Sequence, residues 1–200
     1  MVLTEQQQDG LAELINIAFS RTAASLSDLT SQRVLLDVPR VTIHPIEELV
    51  TALTESIPGE IATVHQVFSG PVAGDALLLF SHDGAVQLSE LLTNEVVQGG
   101  HLDTSAREVL IEVGNILLNA CLGVFGNVFQ IHISFSVPRL HVDALKTVIQ
   151  SLATDRDEVR YALIAYTAFR LRDSAISGYL VLVLGIQSLE RLIYEIEKLG

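Results

Sequence analysis

Residues 9–18 read DGLAELINIA and residues 108–117 read EVLIEVGNIL, so that at an offset of 99 Leu11 falls on Leu110, Glu13 on Glu112, Asn16 on Asn115 and Ile17 on Ile116. The same ungapped offset lays Val38-Pro39-Arg40 on Val137-Pro138-Arg139. Identities at one fixed spacing, three of them consecutive, point to an internal duplication, which shapes every later assignment. Further along the agreement is looser: the apolar run DALLLF after Gly74 matches YLVLVL after Gly178 at an offset of 104. One domain made of two repeats, about residues 4–95 and 103–199, is expected, with residues 94–101 as a connector inside it.

Periodicity gives each half the same order of elements. Thr4 and Gln7 have the spacing of a capping box, opening a helix to about residue 26 on which Leu11, Leu14, Ile15, Ala18 and Thr22 share a face. Residues 34–38 read as a strand ended by Pro39, which cannot donate to a ladder. Residues 45–53, PIEELVTAL, read as a helix with Pro45 in its first turn, where the missing N–H costs little. Strands follow at 61–68 and 73–80, joined by the turn signal Ser69-Gly70-Pro71, then a helix at 85–92. The second half repeats this with a helix at 103–124, a strand at 129–137, a helix at 142–152, strands at 161–171 and 177–184, and a helix at 188–199. The order predicts an α+β fold in which helices pack on a mostly antiparallel sheet. With no more than three strands expected per half, the halves should share one sheet about a pseudo-twofold axis.

The chain has 200 residues, 49% of them hydrophobic, enough for a sizeable core. Twelve Lys and Arg against 24 Asp and Glu give a net charge of −12. Nucleic acids and anionic membranes both attract clustered cations, so this balance argues against either as a partner. The imbalance is concentrated in residues 1–99, with 3 basic and 13 acidic side chains, against 9 and 11 in residues 100–200. The single cysteine, Cys121, allows no internal disulfide and no cysteine-based zinc site, which suits a reducing compartment. It replaces Thr22 on the apolar helix face and is expected to be a small core residue. The start, Met1 to Gln6, has no basic segment ahead of an apolar one, so no signal peptide is expected. Residues 178–186 are too short to span a bilayer, and residues 113–129 are interrupted by Asn115, Asn119 and Asn127. A soluble cytoplasmic protein is expected.

On the first helix Asp9, Glu13, Asn16 and Ser20 form one polar stripe, repeated as Glu108, Glu112, Asn115 and Asn119 on the second. Such a stripe by itself is the wet face of an amphipathic helix, and Ser105 with Glu108 also has capping-box spacing. Other solvent positions have diverged, however, Gln8 to Arg107, Ser20 to Asn119 and Arg21 to Ala120, while Glu and Asn are identical in both copies. Solvation does not demand identity. A carboxylate can meet a cation, and a carboxamide one turn away can both donate and accept, so the pair suits gripping a partner and orienting a water. His44, His65, His82, His101, His132 and His141 show no helical ligand pair, and no metal site is expected. Pro39 and Pro138 read as structural, fixing the exit of a strand.

These residues resemble the CheC/CheX/FliY chemotaxis phosphatases, most closely the two-copy CheC form. The family pattern is Asp or Ser, three residues, Glu, two residues, Asn, twenty-two residues, Pro. Asp9, Glu13, Asn16 and Pro39 match it in full, and Glu108, Glu112, Asn115 and Pro138 depart only at the first position. The resemblance covers nearly the whole chain. It implies hydrolysis of the aspartyl-phosphate of a CheY-like response regulator. In that reading Asn16 and Asn115 align the attacking water, Glu13 and Glu112 pair with the regulator's active-site lysine, and Asp9 and Glu108 support the contact. The Mg²⁺ would belong to the regulator, and this protein would carry no cofactor of its own. Gly114 then either permits close approach of the regulator's backbone or makes a packing contact between helices. The rival reading is a non-catalytic module that docks the regulator or the deamidase CheD, for which residues 142–152 offer a helix. A flagellar-switch component like FliY ranks lower, because the two repeats leave no residues for a further switch domain.

Overall fold

The structure is a computed structural model that describes residues 4–31, 33–54, 56–153, 160–171 and 174–198. Among the described residues the chain runs α1 (Glu5–Thr30), β1 (Val34–Leu36), β2 (Arg40–Pro45), α2 (Ile46–Thr54), β3 (Glu60–Ser69), β4 (Gly74–Ser81) and α3 (His82–Thr93). A single 3₁₀ turn, Gln98–Gly100, leads into α4 (Thr104–Phe129), β5 (Ser134–Phe135), β6 (Arg139–Ala144), α5 (Leu145–Ala153), β7 (Arg160–Leu171), β8 (Ser174–Gly185) and α6 (Ile186–Glu197).

All eight strands join one sheet in the order β1-β7-β8-β4-β3-β5, with β2 also on β7 and β6 also on β3. Every pairing is antiparallel. The outer pairings are reciprocal. Arg40 to Pro45 run against Tyr166 to Tyr161, and Arg139 to Ala144 run against His65 to Glu60, so each half supplies edge strands to the other half's hairpin.

Both faces of the central strands are buried, which is why they read as unbroken apolar runs rather than alternating ones. Ala76, Leu78 and Phe80 of β4 and Leu180, Leu182 and Leu184 of β8 face a core built with α1, α3, α4 and α6. Leu77 and Leu79 of β4 and Val181 and Val183 of β8 face a second core beneath α2 and α5. The result is three layers, with α1 packed directly on α4. Cys121 is fully buried among these residues, and desolvation pushes its thiol pKa far up, so the expected core role holds. By length and composition α4 could cross a membrane, but half of its most apolar window is buried inside this fold.

The fold class agrees with the sequence reading, whereas several boundaries differ. The capping box at Thr4 and Gln7 is present, with both hydrogen bonds made. Strands β2 and β6 were not expected, so each half holds four strands rather than three, and Pro45 ends β2 instead of opening α2. The strand expected at 129–137 shrinks to Ser134–Phe135, because α4 runs on to Phe129. There Gln130 turns left-handed with φ 54°, its N–H and that of Ile131 both donating to Gly126 O. The helix expected at 142–152 starts at Leu145, since Val142 belongs to β6. Leu199, the expected end of the last helix, lies outside the described residues.

Candidate functional site

Glu112 and Asn115 stand one turn apart on α4, the carboxylate exposed and the carboxamide half-buried. With Gln66 of β3, Asn119 one turn further along α4 and residues 135–138, they line a cleft of about 460 Å³. Pro138 lies in the corner between β5 and β6, directly before β6 rather than at the end of β5, which stops at Phe135, and it forms a wall of this cleft. The segment before it is pinned to β3. Ser136 N–H donates to Val67 O at 2.9 Å, and Val67 N–H donates to Ser136 Oγ at 2.9 Å. Behind the site Asn119 Nδ2 donates to Asn115 Oδ1 at 2.7 Å, and Gln66 Nε2 donates to Asn119 Oδ1 at 3.1 Å and to Ser136 O at 2.8 Å. Asn115 Nδ2 has no partner among the described residues, so the carboxamide retains two donors and one acceptor lone pair for whatever enters.

The first copy is built alike in its backbone and differently in its side chains. Glu13 is exposed and Asn16 half-buried on α1. Residues 37–39 are pinned to β7, with Asp37 N–H donating to Ala168 O at 3.1 Å and Thr167 Oγ1 donating to Asp37 O at 2.9 Å. Arg170 grips the Asp37 carboxylate through Nε at 2.6 Å and Nη2 at 2.7 Å. That hydrogen bonding holds the Asp37 carboxyl below its usual range, outweighing a smaller desolvation effect, and the guanidinium charge adds to it. Ser20 stands where the second copy has Asn119, and its Oγ donates to the backbone carbonyl of Asn16 at 2.9 Å. The Asn16 side chain has no hydrogen-bond partner among the described residues.

Asp9 and Glu108 lie one turn before the glutamates, both exposed. Glu108 is not a capping residue: Asp103 caps α4, its Oδ1 accepting from Ala106 N–H at 2.9 Å, and Ser105 lies inside the first turn. Beside each proline an exposed valine borders the site, Val38 at 75% and Val137 at 81% of full accessibility. Sequence reasoning did not single out Gln66, Ser136 or Phe135, and it named Val137 only as an identity of the repeat. The available signal was a lone glutamine in the apolar run of β3.

Gly114 is explained by packing, against a strand rather than another helix. A Cβ placed there would fall within 2.7 Å of Val64 Cβ on β3, so α4 can approach the sheet this closely only without a side chain. We expect Gly114→Ala to destabilise the protein by about 1–3 kcal/mol in urea unfolding, overpacking outweighing the gain in helix propensity. A net stabilisation would show that Val64 yields.

Among the described residues no three His, Cys, Asp or Glu side chains gather as a metal-binding group. No protein-family model matches the chain. The curated relatives that do match include two that are each 25% identical: "Flagellar motor switch phosphatase FliY" of Bacillus subtilis over 77% of this chain, and "CheY-P phosphatase CheC" of the same organism over 83%. The match spans 39% of that FliY and 81% of that CheC, and the equal identities do not rank one form above the other. Among solved structures Thermotoga maritima FliY superposes with a TM-score of 0.80 at 17% identity, over 99% of both chains. FliM of H. pylori, solved in complex with FliG, superposes at 0.69 and 12% identity over 96% of this chain and 100% of its own. CheX of Borrelia burgdorferi, solved with CheY, BeF₃ and Mg²⁺, superposes at 0.52 and 15% identity over 84% of this chain and 96% of that one. The chain is thus a homologue of CheC and FliY and has the CheC-like fold of the CheC/CheX/FliY family.

Proposed function

We propose that this protein is a chemotaxis phosphatase that hydrolyses the aspartyl-phosphate of a CheY-like response regulator, with Glu112 and Asn115 forming one site and Glu13 and Asn16 the other. The observation that carries the reading is the cleft in which Glu112 and Asn115 stand together with the amide face of Asn115 turned outward. Phosphoryl transfer has a loose transition state, so a helper gains most by positioning water and matching charge. A carboxamide with two donors and a spare lone pair can hold a water in line with phosphorus. In this reading Glu13 and Glu112 pair with the lysine of a receiver's active site, and Asp9 and Glu108 extend the acidic contact. The Mg²⁺ would come with the regulator and no cofactor would be needed here. A cytoplasmic location follows from such a partner. We further read the chain as two repeats of one ancestral unit, a view supported by the reciprocal strand pairing.

The competing reading is a docking module for the regulator or for CheD without useful catalysis. It is favoured by the occurrence of this fold in FliM, seen bound to another protein. For CheD the surface would be α5 (Leu145–Ala153). Charge reversal tests the part assigned to the carboxylate. In an Asn16→Ala background, Glu112→Lys is expected to raise KM for the phosphorylated regulator at least about tenfold, as loss of a close interfacial charge pair does, with an altered salt dependence. An unchanged KM would remove Glu112 from the interface.

A further inference from the structure

Gln66 is 1% exposed on β3, where Thr63 is the other buried polar side chain, and Gln66 Oε1, like Thr63 Oγ1, has no hydrogen-bond partner among the described residues. A buried carboxamide with an orphaned oxygen is a poor choice for stability alone. Its Nε2, by contrast, is fully engaged. Because Ser136 O is a backbone carbonyl and can only accept, it fixes which end of the Gln66 amide points toward it, and that end must donate. The same Nε2 donates to Asn119, so the Asn119 oxygen faces Gln66 and its nitrogen faces Asn115. The polarity set at the backbone is passed along three amides, and Asn115 ends with its NH₂ group outward.

The first copy lacks this device. The strand registers place Tyr166 opposite Arg40 and His65 opposite Arg139, so Thr167 is the counterpart of Gln66. Thr167 repeats only the bond to the corner carbonyl, that of Asp37. Ser20 in place of Asn119 turns to the backbone.

We propose that Gln66 and Asn119 are positioning residues that hold the Asn115 carboxamide in one rotamer and one amide orientation. This inference rests on the phosphatase reading for its consequence in turnover, though not for the geometry itself. The test uses the full chain in an Asn16→Ala background, so that only the second site acts. Asn119→Asp keeps the shape and the acceptor toward Gln66 but removes the donor to Asn115. Gln66→Met keeps the length and removes the orphaned oxygen together with the Nε2 donors to Ser136 O and Asn119 Oδ1, so a urea midpoint is measured beside it to confirm that the fold is kept. For each, kcat and KM are measured on a radiolabelled phosphoryl-regulator, and the Asn115 side-chain NH₂ resonances are followed by NMR. Both variants are expected to lower kcat about 10- to 100-fold with KM little changed, and to broaden or shift the Asn115 NH₂ pair. Asn119→Gln, which retains a donor and an acceptor, should recover part of the kcat lost in Asn119→Asp. Unchanged kcat and unchanged NH₂ signals in both variants would overturn the proposal. If the wild-type chain itself has no activity, the phosphatase reading fails and the NMR signals alone decide whether the relay exists.

Discussion

The double variant Asn16→Ala/Asn115→Ala is expected to leave a phosphorylated CheY-like regulator decaying at its own unassisted rate, while each single variant retains part of the acceleration. Both asparagines lie on the exposed stripe of a long helix rather than in either core, so the loss should come without unfolding. Positioning of a nucleophile is worth about 100-fold or more in rate, so removing the only two groups assigned to it should erase most of the effect. Circular dichroism and urea midpoints would confirm that the fold is intact. Wild-type turnover in the double variant would refute the assignment of both asparagines.

The largest loss of stability is expected at Asp75→Ala. Asp75 of β4 and Arg160 of β7 are 6% and 4% exposed and paired across the intervening β8. Asp75 also meets His65 Nε2 at 3.0 Å, and Arg160 Nη1 donates to Leu152 O at 2.8 Å near the end of α5. Removing the carboxylate leaves a buried guanidinium without its counter-charge, which costs about 3–5 kcal/mol. Against a typical total of about 5–15 kcal/mol, that shift in the urea midpoint would be large. A change below about 1 kcal/mol would contradict this account. Desolvation pushes the Asp75 carboxyl up, but the hydrogen bonds from His65 and Arg160 and the charge of Arg160 outweigh it, so its folded pKa is lowered. A carboxylate with a lowered folded pKa stabilises fully above its unfolded pKa of about 4 and loses that contribution as pH falls toward the folded value. Asp75→Ala should therefore flatten the fall in stability in that acid window.

What could be read from the sequence was local or repeated. The capping box at Thr4, the apolar strands around Leu78 and Leu182, and the two Glu-Asn pairs all announce themselves within a few residues or at one fixed offset. What escaped depends on partners far along the chain. Residues 40–45 and 139–144 become strands because each lies against the hairpin of the other half, and nothing near Arg40 or Arg139 reports that partner. Residues 131–135 alternate as a strand does, but after the left-handed turn at Gln130 residues 131–133 carry the chain away from the helix and only Ser134 and Phe135 pair with β3. Asn119 stood on the recognised stripe, yet its contact with Gln66 joins residues 53 apart and needs the fold to exist. The motif thus marked the reacting side chains, and the groups that orient one of them came into view only with the sheet in place.

The central claim is tested most directly by the decay of a radiolabelled phosphoryl-regulator with and without the wild-type protein, using CheY-like receivers encoded in the same genome. Catalysis predicts a decay rate that rises with the concentration of this protein and saturates as the regulator is bound. A regulator that binds and keeps its phosphate for as long as it does alone would contradict the account and leave a docking module.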